Sequence, residues 1–180
     1  LNPKWTGKLG LEASDVAWFA AVVKAMGEEK GLAYFRKLAA MKPAVRSGHT
    51  LMAELVAAGE IPLALNVYNH SVERLKTKGA PIDWKPLQPA FGVPNGIGVV
   101  KQAQHPHAAL LFADFILSNE GQRIIQQRGF VPASLKVDSP LNKFKYEFID
   151  PVISLDEWDK WSKLWSSFFL QGQEVKKDAQ

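Results

Sequence analysis

The sequence predicts an α/β fold with a largely parallel sheet. Three observations carry that prediction. Short apolar runs of strand length recur, segments of helical apolar spacing separate them, and Gly, Pro or Asn punctuates the junctions. Strands that alternate with helices favour parallel pairing, because a parallel neighbour can be reached only through a long crossover.

Each element follows in order. Leu9–Leu11 is a short apolar run behind a Pro3/Gly7 turn and reads as a strand. Ser14 is placed to cap a helix in which Val16, Phe19, Ala20 and Val23 recur at helical spacing, and Gly27 ends it. A second helix is expected over Glu28–Ala40, with Leu32, Phe35 and Leu38 apolar. Pro43 then imposes an extended approach to Arg46-Ser47-Gly48-His49. A third helix starts near Thr50, buries Leu51, Leu55 and Val56, and stops at Gly59. Ile61–Leu65 reads as a buried strand, Asn69–Lys78 as a polar helix, Ile82–Leu87 as extended chain and Gly96–Lys101 as a further strand.

Beyond Lys101 the pattern turns helical. Pro106 suits a first turn, and Ala108, Leu111, Phe112, Phe115 and Ile116 form a stripe. Asn119 is expected to cap a continuation to Gly129, and 131–142 reads as loop. A last helix near Asp156–Leu170 places Trp158, Trp161, Leu164, Trp165 and Phe168 on one face, a core stripe by its spacing. The polar end QGQEVKKDAQ has no apolar face and is expected to lack regular structure.

Composition narrows the chemistry. Apolar residues reach 47% against 22% charged, enough for a packed core. With no cysteine, disulfides, thiolate-bound zinc, iron–sulfur clusters and thiol nucleophiles are excluded. The net charge of +4 is spread without a basic run, so nucleic acid is not an expected partner. No nucleophile elbow, phosphate loop, HExxH or paired-carboxylate motif is present, and no enzyme is expected. The sequence opens without an initiator Met or signal peptide, so Leu1 is read as a boundary with sequence missing before it.

The segments PKWTGKLGLE, YFRKLAA, VRSGHTLMAELVAAGEIPLALNVYN, LKTKGAPIDW, PNGIGVVK and HPHAALLFADFILSNEGQ, in this order and spacing, carry a likeness. The chain resembles the C-terminal portion of type 2 periplasmic solute-binding proteins of ABC transporters, nearest the ferric-iron-binding receptors. The resemblance implies two α/β lobes closing on a ligand in the cleft between them. Residues 1–85 would be the second lobe, 86–94 a hinge crossover, and 95–180 the end of the first lobe with its terminal aromatic helix. It also implies a periplasmic or lipid-anchored extracellular receptor, with a membrane permease as partner. The ligand would be iron, with Fe(III) as cargo, or a small anionic or polar organic solute.

Three helix starts follow strand ends or tight loops: Glu12-Ala13-Ser14-Asp15, Ser47-Gly48-His49-Thr50 and Asn66-Val67-Tyr68-Asn69. Such starts present free N–H groups and partial positive charge, and in an open sheet they converge beyond the strands' carboxyl ends. Plain N-capping accounts for Ser14 or Thr50 alone; three starts together point to a site. Ser14, Ser47, Gly48, Asn66 and Tyr68 are the expected ligand contacts, with Glu12, Asp15 and His49 as further candidates. In the ferric-binding relatives the matching loop has an Asn followed by two adjacent tyrosines that hold the iron. Here Asn66 and Tyr68 match, but Asn69 stands at the second tyrosine. Either the ligand is not iron, or a metal is held by Tyr68 with a compensating group from Glu12, Asp15 or His49. His70 lies beside the same loop, whereas His105 and His107 open a helix and read as incidental.

Two rival readings share this architecture. A transcriptional regulator's effector domain would be marked by a helix-turn-helix upstream and excluded by a signal peptide. An enzyme on the same scaffold would need a convergent acid–base pair.

Overall fold

A computed structural model describes residues 1–171, with the side chains of 142 and 143 left aside. The chain divides into two compact units, Leu1–Trp84 with the stretch from Ile149 onward, and Lys85–Phe148.

The first unit is built on three parallel strands in the order β2-β1-β3, where β1 is Leu9–Glu12, β2 is Ala44–Arg46 and β3 is Leu63–Ala64. Central β1 is buried along its whole length, as expected for a strand covered on both faces. Helices α1 (Val16–Met26) and α2 (Glu28–Ala40) connect β1 to β2, and α3 (His49–Ala57) connects β2 to β3. Helix α4 (Asn69–Lys76) follows β3. Gly10 allows α3 to approach the sheet: a Cβ there would lie 2.6 Å from Met52 Sδ and 2.9 Å from Ile61 Cγ2.

One face of this sheet carries an aromatic core. Phe19 is fully buried and meets Phe35, Trp161, Trp165 and Phe168, with ring centroids 4.7 to 6.1 Å apart. Edge-to-face geometry dominates these contacts, as the ring quadrupole favours. Trp161 and Trp165 come from α8 (Trp158–Phe169), which follows the short α7 (Val152–Leu155) and packs on α1 and α2.

The second unit pairs β4 (Ala90–Gly92) in parallel with β5 (Tyr146–Phe148). Helices α5 (Pro106–Leu117) and α6 (Asn119–Gln127) lie between them in sequence. Buried Gln122 fastens this unit: its Nε2 donates to the Ile116 carbonyl at 2.8 Å, and its Oε1 accepts from Ala133 N at 2.7 Å. The Tyr146 hydroxyl donates to the Leu141 carbonyl.

The α/β class with parallel sheets and many helices is present as expected. Several details differ. Gly96–Lys101 forms no strand and is almost wholly exposed, and Ile82–Leu87 joins no ladder. The apolar letters of Gly96–Lys101 are interrupted by two glycines, which contribute no side chain to a pleated face. Strands β4 and β5 fall instead on Ala90–Gly92 and Tyr146–Phe148, short runs with little local pattern. The third helix begins at His49 with Gly48 as its cap, not at Thr50, and Ser118 rather than Asn119 caps α6. The stripe on α5 is not buried: Leu111 is 71% and Phe112 60% exposed.

The aromatic helix belongs to the unit of Leu1–Trp84 and the stretch from Ile149 onward. It packs in the first unit, where Phe19 meets Trp161 and Trp165 and Phe35 meets Phe169. The polar chain end, from residue 172 on, lies outside the described residues.

Truncating Phe19 would remove the ring shared by two helix–helix contacts. Phe19→Ala is expected to cost about 3–5 kcal/mol in urea unfolding followed by tryptophan fluorescence. A loss below about 1 kcal/mol would mean that the aromatic layer is not this unit's core.

Candidate functional site

All three strands of the first unit end at one edge, and the loops leaving that edge meet around Glu12. Glu12 is the last residue of β1 and only 1% exposed. Its Oε2 accepts from Ser14 N at 2.7 Å and Ser14 Oγ at 2.9 Å, and its Oε1 accepts from Gly48 N at 2.9 Å. One carboxylate thus joins the β1–α1 loop to the start of α3. Gly48 meets it with φ of 101°, a conformation that other residues adopt only under strain.

Asn66 ties in the third loop. Its Oδ1 accepts from Glu12 N at 2.8 Å and its Nδ2 donates to the Glu12 carbonyl at 3.3 Å, so a side-chain amide replaces a strand partner where β3 has ended. The same Nδ2 donates to Asp15 Oδ2 at 2.9 Å. From the far end of the chain, Trp165 Nε1 donates to the Ala13 carbonyl at 2.6 Å and anchors the β1–α1 loop.

Against this frame stand the less enclosed side chains. His49 Nε2 lies 3.5 Å from Asp15 Oδ1 and 3.8 Å from Glu12 Oε2. Its Nδ1 is buried without a hydrogen-bond partner. The Tyr68 ring stacks on the imidazole at 3.5 Å between centroids, tilted by 16°, and His70 lies 5.4 Å beyond Tyr68. Glu12, Asp15 and His49 each offer a ligand atom within 4.8 Å of the others, a grouping suited to a cation.

Electrostatics follow from this crowding. Burial raises the Asp15 carboxyl, aided by the Glu12 charge, although His49 and Asn66 pull it down. Burial alone would lower His49, but Asp15 and Glu12 outweigh it and hold the imidazole above its ordinary value. Burial and the same two carboxylates push the Tyr68 phenol up to about 12. Burial and the neighbouring His49 and Arg74 charges lower His70.

The structure therefore brings together Glu12, Ser14, Asp15, Gly48, His49, Asn66 and Tyr68. Ser47 stays apart: it is exposed and lines a shallow depression with Arg46, Phe169 and Leu170. The Ser14 and Gly48 N–H groups, expected to face a ligand, are directed at Glu12 instead. Nor is Ser14 the helix cap; Asp15 holds that position without a side-chain capping bond. The sequence reading missed the Trp165 anchor, 152 residues from its acceptor, for which no local signal exists.

For both His49 and Asp15 the native state holds its proton more tightly than the unfolded chain. Stability from the His49 imidazolium is complete below 6.5 and is lost as pH rises through its raised native value. Ionisation of Asp15 likewise withdraws stability above 3.8. The ion-free protein is expected to melt at lower temperature as pH rises above 6.5, with His49→Gln flattening that slope. Circular-dichroism melts at fixed ionic strength check this, and a slope of opposite sign would contradict the pairing.

Residues 6–131, more than half of the chain, match the family model described as bacterial extracellular solute-binding protein. Comparison with curated proteins returns no match, and comparison with solved structures returns none. The matched span includes every side chain of the cluster around Glu12, and the chain belongs to the bacterial extracellular solute-binding protein family.

Proposed function

We propose that this protein is the ligand-capturing component of an ABC transporter and that its cargo is a metal cation. Glu12, Asp15 and His49 would hold the ion at the carboxyl edge of the β2-β1-β3 sheet, with Tyr68 beside them. Captured cargo would favour a closed form that the membrane permease recognises. Family membership supports an extracellular ligand-binding role, and the proposal adds the transporter, a periplasmic or lipid-anchored location and the ion. It assigns the chain binding without chemistry.

One observation carries the choice of a cation: the spacing of His49 Nε2 from the two carboxylates, 3.5 and 3.8 Å. A charge-assisted hydrogen bond would close to about 2.8 Å. Two donors on one ion with bonds of about 2.1 Å stand about 3 to 4.2 Å apart, the range found here. The backbone N–H groups already hold Glu12 in place, as groups outside a metal's immediate ligands commonly do.

A small anionic solute has weaker support at this edge. Two of the N–H groups that would receive it, Ser14 N and Gly48 N, are occupied by Glu12, and two carboxylates would repel it.

An ion binding here must displace the proton that His49 holds above its ordinary value, so affinity is expected to rise with pH across that titration. Isothermal titration of the full chain with Fe(III) chelate, Zn(II) and Mn(II), repeated at pH values on either side of 6.5, measures this. Asp15→Asn should weaken binding by more than about tenfold. Stabilisation by phosphate, sulfate or phosphonates, with none by any cation, would refute the proposal.

A further inference from the structure

Resting on the cation reading above, we infer that the cargo of the Glu12–Asp15–His49 site is a divalent transition-metal ion rather than ferric iron. The argument starts from the donor set. Two carboxylates and one neutral imidazole are borderline-to-hard ligands with a summed charge of minus two, which neutralises one divalent ion. Zn(II) and Mn(II) accept mixed carboxylate and imidazole donors readily. A ferric ion carries one more positive charge and prefers further anionic oxygens.

The molecule offers few such oxygens at this edge. The chain has three tyrosines, and only Tyr68 belongs to the loops that leave it. Tyr34 is on α2, where it lines a shallow groove with Lys30 and Lys37, and Tyr146 is on β5 in the second unit. Asn69, next to Tyr68, brings a neutral amide where a second phenol would have added charge. Glu12 accepts three donors, which leaves it about one lone-pair position for a single bond to an ion.

Tyr68 has another role available. Its ring covers one face of His49 at 3.5 Å, and His70 follows on from it. The stack fixes the plane of the imidazole while Nε2 faces Asp15 and Glu12. Tyr68 is thus a positioning residue for His49, and its hydroxyl is dispensable for binding.

The test uses the full chain, freed of metal by a chelator and dialysed. Zinc chloride and manganese chloride are titrated in one arm and ferric nitrilotriacetate in the other. Native mass spectrometry, isothermal titration and visible absorption provide the readouts. One Zn(II) or Mn(II) should bind per chain, and Tyr68→Phe should change its affinity by less than about threefold. His49→Ala should weaken it by more than about tenfold. Asp15→Asn, nearly isosteric, repeats that loss without disturbing the ring stack, and circular dichroism confirms that each variant is folded.

Two outcomes overturn the inference. Ferric binding with a phenolate-to-iron visible band that disappears in Tyr68→Phe would overturn it while leaving cation capture standing. Failure of all three metals, with stabilisation by an anionic solute instead, would overturn both.

Discussion

Removing a carboxylate from water is costly unless its oxygens are met by donors, and Glu12 is almost fully removed. Its three donors come from two different loops, and the Asn66 amide that grips its backbone comes from a third. These bonds depend on one another. If α3 moved away, Gly48 N would leave Oε1 unpaired; if β3 shifted, the Glu12 N–H would lose its partner at a point where the ladder has already ended. The edge of the sheet is therefore rigid because a buried charge makes any looser arrangement expensive.

That rigidity determines which side chains remain for a ligand. In open parallel sheets the crevice beyond the strands' carboxyl ends collects the loops and the helix N-termini. Here the Ser14 and Gly48 N–H groups are directed inward to the protein's own carboxylate. Asp15 and His49 stand one step outward from Glu12, mostly buried, with Tyr68 against the imidazole. The aromatic layer supports this from behind: Trp165 packs on Phe19 and also donates to the Ala13 carbonyl, so core packing and loop position share one side chain.

Much of this was legible in the sequence. Helical periodicity located the helices other than the one-turn α7 to within a few residues, and helix starts behind strand ends identified the loops that converge. Each rests on local pattern, to which one chain gives direct access. The strands were less legible. β3 has two residues and β4 and β5 three each, too short for alternation to register. Gly96–Lys101 looked like a strand because its apolar letters resemble one, yet nothing local specifies a partner. The role of Gly48 was hidden for another reason: a free N–H and one occupied by a carboxylate from 36 residues away have the same sequence. The position of the aromatic helix was equally non-local, since its stripe announces burial but not against what.

A receptor must release what it captures, and the geometry around His49 bears on that requirement. Two carboxylates hold the imidazole above its ordinary value, so a proton is bound more tightly there than on a free histidine. On the proposed reading an arriving cation exchanges with that proton, and the net change in buried charge is smaller than for an ion entering an uncompensated acidic pocket. Where the ring is protonated, such exchange would temper affinity, because part of the attraction is already satisfied by the imidazolium. It also limits rearrangement, because Glu12 stays fixed by Ser14 and Gly48 whether or not the ion is present. On that reading the preorganised carboxylates would supply the selectivity for positive charge, and the titratable ring would keep capture reversible.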